Sequence, residues 1–245
     1  MAEREQVLLE PGFVLHQRPY RDSSQLLECM TATHGRMGLV ARGSRRAKTG
    51  QRALLQPFAP LKVSWIRRGD LGRLTQVEAT AAAFGLEGLS LLAGYYANEL
   101  LLRLTARGDP NAEVFSCYSR CLAQLAEHAS VARALRLYEL DLLRALGYGL
   151  ELDAEADTGL PLRGDSTYIF ELEGGARAVD DAGADDELYG GRELISLRDR
   201  SLEDDAALRS AQRLLGRALR AHLGDRPLRS RLVLQDMVSR HLVAQ

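Results

Sequence analysis

A run of cations without any acidic residue offers the clearest chemistry in this sequence. Residues 42–52, which we call the basic loop, hold two glycines and five cations: Arg42, Arg45, Arg46, Lys48 and Arg52. Such a loop can follow a phosphate backbone, because each phosphate that it neutralises releases bound counterions. We therefore predict contact with nucleic acid, the alternative being a solvated surface loop. Further arginines near predicted strand ends extend the predicted patch: Arg36, Arg67, Arg68 and Arg73.

A second group of arginines recurs along one predicted helix. Arg209, Arg213, Arg217 and Arg220 are spaced so that they share one helix face. Like charges at this spacing repel each other, so the stripe needs anionic neighbours. Two interpretations stay open, namely ion pairing with an acidic part of the chain and DNA binding. The predicted DNA-binding set includes Arg213 and Arg217.

Two other clusters are predicted to be structural. The first is acidic and comprises Asp180, Asp181, Asp185, Asp186 and Glu187. Clustered carboxylates can hold a divalent cation, but these lack the spacing of a known ligand loop and favour a solvated segment. In the second, Cys117 and Cys121 share one helix face, where buried thiols pack as small apolar groups. We predict no metal site and no cofactor.

Signatures of catalysis are missing from the sequence. It contains no phosphate-binding glycine loop, dinucleotide fingerprint, zinc-protease motif or serine-hydrolase motif. The five histidines are scattered and none lies beside a plausible nucleophile. We therefore predict that the protein is not an enzyme.

The charge of the chain is unevenly distributed. Residues 1–80 carry 13 basic and 7 acidic residues, a net charge of +6, and the remainder carries 19 and 26, a net charge of −7. A basic N-terminal third joined to an acidic remainder is typical of a polyanion-binding module on a larger carrier.

The elements that must position these residues fall into two classes. Alternating apolar and polar residues predict five short strands within residues 1–80, and a small Greek-key barrel would close so few strands. Apolar residues at steps of three and four then predict helices over about 86–104, 114–125, 130–146, 202–223 and 228–242. The predicted fold class is therefore α+β.

The segment between the third and fourth of these helices has a different character. Residues 151–192 are acidic, rich in glycine and weakly periodic. Tyr168–Glu173 and Arg177–Val179 flank Gly174 and Gly175, a pattern that predicts a β-hairpin. The predicted domains are 1–80 for the barrel, 81–150 with 201–245 for the helices, and 151–200 for an inserted lobe.

Six short motifs resemble the RecO family of bacterial recombination mediators, in the same order along the chain. They are Phe13–Tyr20, Gly38–Gly43, Leu55–Leu61, Tyr95–Leu101, Leu135–Leu143 with Gly147–Gly149, and Leu223–Arg231. The resemblance implies an N-terminal OB-fold, a helical domain and an inserted lobe. Some members of the family hold zinc in this lobe through four cysteines. Residues 148–200 contain no cysteine, so we expect a zinc-finger-like lobe without zinc, held by packing.

The resemblance also implies a function and its partners. RecO-like proteins bind single- and double-stranded DNA and anneal complementary strands. They also bind the acidic C-terminal tail of single-stranded DNA-binding protein (SSB) and, with RecR, help to load RecA in the RecF pathway. By position, Arg136 would bind the tail carboxylate, and its pocket would include Leu135, Tyr138 and Leu142.

Two alternative functions remain open at this point. One is a metal-dependent nuclease that uses the acidic lobe, and the other is a protein scaffold that never contacts DNA. The sequence contains no long apolar run and no apparent signal peptide, so we expect a cytoplasmic protein without membrane contact.

Overall fold

The computed structural model describes residues 4–44, 51–127, 130–180, 183, 187–224, 226–230 and 233, with Gln51 and Arg52 described by their backbone alone. These residues divide into two compact units, 1–128 with 227–245 and 129–226. No helix within the described ranges is long and apolar enough to cross a bilayer. The three-part division predicted from the sequence stays a prediction.

The first unit begins with a closed five-stranded barrel. Its strands are β1 (Glu5–Tyr20), β2 (Ser24–Thr31), β3 (Gly35–Ala41), β4 (Leu61–Arg67) and β5 (Leu71–Ala79). The strand order is β1-β2-β3-β5-β4, and β4 pairs back onto β1. All pairings are antiparallel except β3 with β5. The five predicted strands and the predicted OB-fold barrel are therefore confirmed.

Alternation along the strands places one set of side chains inside the barrel. Leu27 and Cys29 of β2 and Met37 and Leu39 of β3 belong to the inner core. Trp65 is completely buried in the same cluster, so it is a core residue and not a platform for bases.

The first unit also contains helices α1 (Gln51–Leu54), α2 (Gly88–Leu104) and α3 (Ala112–Ala126). A bulge in β1 lies between Val14 and His16, and the carbonyl of the intervening Leu15 accepts a 2.9 Å hydrogen bond from the buried Asn98 of α2. Tyr118 of α3 in turn donates to Asn98 at 2.5 Å. A buried polar chain thus ties both helices to the barrel.

Both cysteines of α3 are buried, as predicted, since Cys117 is 2% and Cys121 is 1% exposed. The chain returns to this unit after Pro227. The carboxylate of Glu99 accepts hydrogen bonds from the backbone N–H groups of Arg229 and Ser230. Partial burial opposes ionisation of Glu99, but the hydrogen bonds from Ser230 and Arg229 lower its pKa below the ordinary value. Most of the last predicted helix lies outside the described residues.

The connection between α2 and α3 extends the pairing of β3. The three residues 38–40 of β3 pair with β5. Beyond the first residue of β5, Arg36 forms a bridge with Arg107 instead, and the N–H of Gly108 donates to the Arg36 carbonyl at 2.8 Å. Gly35 lies against the same connection, because a Cβ there would stand 2.0 Å from the carbonyl oxygen of Asp109. Arg36 and Gly35 thus bring residues 105–109 onto the barrel.

The second unit combines helices with a small sheet. Its elements are α4 (Val131–Ala145), β6 (Thr167–Glu171), β7 (Gly175–Val179), β8 (Leu188–Gly190), α5 (Gly191–Arg198) and α6 (Asp205–Leu223). Ser130 caps α4 as predicted, because its hydroxyl accepts a hydrogen bond from the N–H of Arg133. The predicted β6–β7 hairpin is confirmed, whereas α5 and β8 were not predicted from the sequence. The sheet order is β7-β6-β8.

Aromatic packing fills the sheet of the lobe. Tyr168 and Phe170 of β6 and Tyr189 of β8 are 0–1% exposed. The Tyr168 hydroxyl donates to the buried carboxylate of Glu155 at 3.0 Å and accepts from the N–H of Arg163 at 2.8 Å. Within the part of the chain that is described, no group of three His, Cys, Asp or Glu side chains could hold a metal ion.

Gly35 provides a test of the contact between the barrel and the α2–α3 connection. Gly35→Ala should lower the melting temperature, because the new Cβ meets the Asp109 carbonyl oxygen and because φ is +67°. Gly43→Ala is the matched control, since φ there is +69° but no atom lies within 4 Å of the added Cβ. We expect the control to cost about 1 kcal/mol and Gly35→Ala to cost at least ~2 kcal/mol more in thermal or urea unfolding. Equal losses would contradict the close packing.

Candidate nucleic-acid interface

A cleft on the barrel gathers exposed arginines from three loops and strand ends. Its volume is about 310 Å³. It is lined by Tyr20, Arg21, Ser23, Ser24, Val40, Arg42, Leu71, Gly72 and Arg73. These residues come from the β1–β2 turn, the end of β3 and the start of β5. The faces and loops of strands 2 and 3 in OB-folds are where oligonucleotides bind, so the location suits a nucleic-acid strand.

Strand register explains why Arg73 faces the cleft. Val40 of β3 lies opposite Arg73 of β5, and both side chains leave the barrel on the face opposite to the core residue Leu39. Arg42 directly follows β3 on the same outer side. Arg42 and Arg73 are both exposed. The guanidinium group of neither residue forms an ion pair or hydrogen bond with any residue that the structure describes.

The β1–β2 turn supplies an aromatic ring beside these cations. Tyr20 is half-buried, and the guanidinium carbon of Arg21 lies 5.4 Å from its ring centroid. Arg21 adopts φ +53°, a left-handed conformation that costs a non-glycine residue about 1 kcal/mol or more. The turn therefore presents a cation and a ring at the edge of the cleft. Aromatic side chains beside cations are the groups on which bases stack in single-strand-binding proteins.

The basic loop continues directly from this cleft. Arg42 is its first residue, and Arg45, Arg46 and Lys48 lie outside the described residues. The side chain of Arg52 also lies outside them, although its backbone belongs to α1. The predicted role of these four cations therefore stays a prediction.

Two predicted DNA-binding arginines of the barrel have partners inside the fold. Arg36 donates to Glu28 at 2.8 Å and twice to the carbonyl oxygen of Thr105, and its side chain is only 15% exposed. Arg67 donates to Glu5 at 2.7 Å. Both guanidinium groups are paired with carboxylates within the fold, and their assignment to DNA stays a prediction. Arg68 is exposed and remains a candidate.

Two arginines of α6 likewise have partners within their own unit. Arg213 donates to the Leu188 carbonyl of β8, and Arg217 pairs with Glu187 at 3.1 Å and donates to the Phe170 carbonyl of β6. Both guanidinium groups lie over the ring of Tyr189, at 5.0 and 5.7 Å from its centroid. Burial raises the pKa of Tyr189 to about 12 although Arg217 opposes the shift. The contacts that the structure shows for Arg213 and Arg217 are the internal pairing that the sequence left open, and their assignment to DNA stays a prediction.

The residues predicted to bind the SSB tail lie on α4 and are buried. Arg136 is 9% exposed and donates to Glu139 at 2.6 Å. Leu135, Tyr138 and Leu142 are 0–2% exposed, so they contribute to the core of the second unit in this structure.

Sequence reasoning did not assign a role to Arg21 or Arg107. Arg21 stands in the turn between two predicted strands, which is a position where OB-folds bind ligands, so its location was a usable signal. Arg107 donates through Nε at 3.1 Å and through Nη2 to the carboxylate of Glu28. The 79 residues that separate this pair leave no local signal in the sequence.

Comparison with known proteins identifies the family to which this chain is similar. A family model described as recombination protein O, N terminal, matches residues 6–83, and a second, described as recombination protein O, C terminal, matches residues 86–232. The chain is 44% identical over 231 residues to the DNA repair protein RecO of Nitrosococcus oceani, covering 94% of each chain. The protein of the same name from Methylococcus capsulatus is 41% identical over 225 residues, with 92% of each chain covered. The one from Alkalilimnicola ehrlichii is 42% identical over 236 residues, which covers 95% of this chain and 93% of that protein.

Arg217→Ala tests the internal role of the α6 arginines. It should destabilise the protein by about 1–3 kcal/mol, because Glu187 and the Phe170 carbonyl lose a charged donor. Arg220→Ala removes the same charge from an exposed position of the same helix and should change stability by at most ~0.5 kcal/mol. Thermal unfolding measures both, and neither variant should change the affinity for oligonucleotides. An intact melting temperature with lost DNA affinity in Arg217→Ala would return Arg217 to the interface.

Proposed function

The chain belongs to the RecO family of DNA repair and recombination proteins, and we propose that it acts there by holding DNA strands without cutting them. The cleft between the β1–β2 turn, β3 and β5 binds the sugar-phosphate backbone. The same surface accepts single strands and the backbone of duplex DNA. The protein works as a mediator and not as a nuclease.

One contrast among the arginines on and beside the barrel carries this proposal. Arg36, Arg67 and Arg107 are paired with the carboxylates of Glu28 or Glu5. Arg42 and Arg73, which line the cleft, are exposed and have no carboxylate partner among the described residues. An exposed guanidinium offers a fork of donors that matches phosphate oxygens. The cleft therefore supports backbone binding that does not depend on base sequence.

Annealing follows from the same chemistry. Two complementary strands repel each other through their phosphates, and cations that neutralise one strand lower this repulsion. Tyr20 beside the cleft supplies a ring that accepts any base by stacking. The basic loop, which follows Arg42 in the sequence, would lengthen the track along which a strand lies.

The proposed partners follow from family membership. We propose that the protein binds the C-terminal tail of SSB and acts with RecR to help load RecA on SSB-coated DNA. These steps belong to the RecF pathway. A tail that ends in a phenylalanine carboxylate needs a cation beside an apolar pocket. Arg136 remains the proposed cation, and the tail would compete with Glu139 for its guanidinium.

Arg42→Ala combined with Arg73→Ala tests the DNA-binding surface. We expect weaker binding to an oligothymidine strand, and the slope of log affinity against log salt should fall in magnitude by about 1.4, since each lost phosphate contact on a single strand removes about 0.7. Fluorescence anisotropy over a salt series provides both quantities. The matched control is Arg192→Ala with Arg220→Ala, which removes two exposed arginines of the second unit. A slope that equals that of the unmodified protein would refute the proposed contact.

Arg136→Ala tests the proposed SSB contact. A fluorescent peptide with the sequence of the SSB tail should lose about tenfold or more in affinity, whereas binding to oligothymidine should stay unchanged. Arg144→Ala is the control, because Arg144 lies on the same helix and is exposed. Circular dichroism verifies that each variant folds. Unchanged peptide affinity in folded Arg136→Ala would place the tail site elsewhere on the protein.

A further inference from the structure

We infer that Arg107 is a positioning residue for the DNA-binding cleft, because its pairing with Glu28 fixes the start of β5 and thereby places Arg73. The inference rests on the proposed function of the cleft. Arg107 lies in the α2–α3 connection, outside the barrel strands, and does not line the cleft itself.

One residue from each of three neighbouring strands lies in a row across the sheet beside Arg107. Glu28 of β2 lies opposite Gly38 of β3, and Gly38 lies opposite Leu71 of β5. Residues that are directly opposite each other in a sheet present their side chains on the same face. This row therefore crosses the outer face of the barrel from a carboxylate to an apolar side chain, with a glycine between them.

Arg107 spans this row. Its Nε and Nη2 both donate to the carboxylate of Glu28. A Cβ added at Gly38 would stand 2.7 Å from Cδ2 of Leu71 and 3.0 Å from Cζ of Arg107. The guanidinium and the leucine side chain thus both border the space that the glycine leaves open. Glu28 holds the guanidinium there by charge, and the guanidinium limits the room left to the Leu71 side chain.

Leu71 connects this contact to the cleft. Leu71 opens β5 and lines the cleft, and Arg73 follows two residues later on the same face of the strand. The parallel pairing that holds this part of β5 against β3 comprises only three residue pairs. Gly72 and Arg73 also pair with Arg67 and Ile66 of β4, whereas Leu71 pairs only with Gly38 of β3 among the described residues. The placement of Leu71 beside Arg107 therefore contributes to where β5 begins and to where Arg73 points.

The chemistry of Arg107 favours a positioning role over a phosphate contact. Two nitrogens of the Arg107 guanidinium donate hydrogen bonds to Glu28. Hydrogen bonding to Glu28 is the main cause that raises the pKa of Arg107 above its ordinary value. Glu28 also pairs with Arg36, which donates to the Thr105 carbonyl of the same connection. Glu28 thus anchors the connection at two points.

The experiment separates affinity from the number of phosphate contacts. Binding of labelled oligothymidine is measured over a salt series, well below the melting transition, for Arg107→Gln, Arg107→Lys and Gly38→Ala. Gly38→Ala changes no charge but forces Leu71 and Arg107 apart. Gly85→Ala is its control, because no atom lies within 4 Å of a Cβ added there.

We expect Arg107→Gln and Gly38→Ala to bind about fivefold more weakly than the unmodified protein, with an unchanged salt slope, because no phosphate contact is lost. Arg107→Lys should resemble Arg107→Gln, since lysine keeps the charge but not the planar fork. Amide hydrogen exchange over residues 71–73 should become faster in the free variants. Melting curves verify that each variant is folded. If Gly38→Ala does not fold, Arg107→Lys serves as the variant that keeps the net charge.

Two outcomes would overturn the inference. A salt slope that falls by about 0.7 in Arg107→Gln and recovers in Arg107→Lys would make Arg107 a direct phosphate ligand. Unchanged affinity in folded Arg107→Gln and Gly38→Ala, together with a loss in the Arg42 and Arg73 double variant, would leave the cleft as the DNA site and remove the positioning role. No effect of the double variant would refute the cleft and the inference together.

Discussion

The pairing of arginine with carboxylate groups decides which cations of this protein remain available to a ligand. A guanidinium cannot lose its proton at physiological pH, so each one that the fold partly buries needs an acceptor. Glu5, Glu28 and Glu187 meet this need for four arginines, and backbone carbonyls supplement them. Arg42 and Arg73 are left with their charges exposed beside one cleft. The proposed DNA-binding surface therefore depends as much on where carboxylates lie as on where arginines lie.

The barrel could be predicted from the sequence because its signal is local. Leu61, Val63 and Trp65 alternate with polar residues within one strand, and the structure places all three in the inner core. The capping of α4 by Ser130 is equally local. The site could be predicted only in part, because the partner of a charge can lie anywhere along the chain. Arg36 looked free in its own segment, but Thr105 lies 69 residues away and Glu28 belongs to the neighbouring strand.

The lobe shows how aromatic packing and charge pairing can hold a small sheet together. Tyr168, Phe170 and Tyr189 bury their rings, and burying one such ring contributes on the order of 2 kcal/mol. Arg213 and Arg217 then cover the ring of Tyr189 and bind carbonyls at the ends of two strands. The spacing along α6 predicted that these arginines needed anionic neighbours, and Glu187 is one of them. The sequence left their function open because ion pairing and DNA binding both require the same spaced cations.

The net charge of −1 of the whole chain is compatible with the proposed binding of DNA, because binding depends on the charge near the contact. At physiological ionic strength an exposed charge is screened over about 8 Å, whereas a guanidinium in contact with a phosphate oxygen lies about 3 Å away. Carboxylates that already pair with arginines within the fold add little repulsion, because their charge is compensated where they stand. Glu28 illustrates this point, since it accepts from both Arg36 and Arg107. A carboxylate that anchors cations beside a cleft can therefore support binding of a polyanion instead of opposing it.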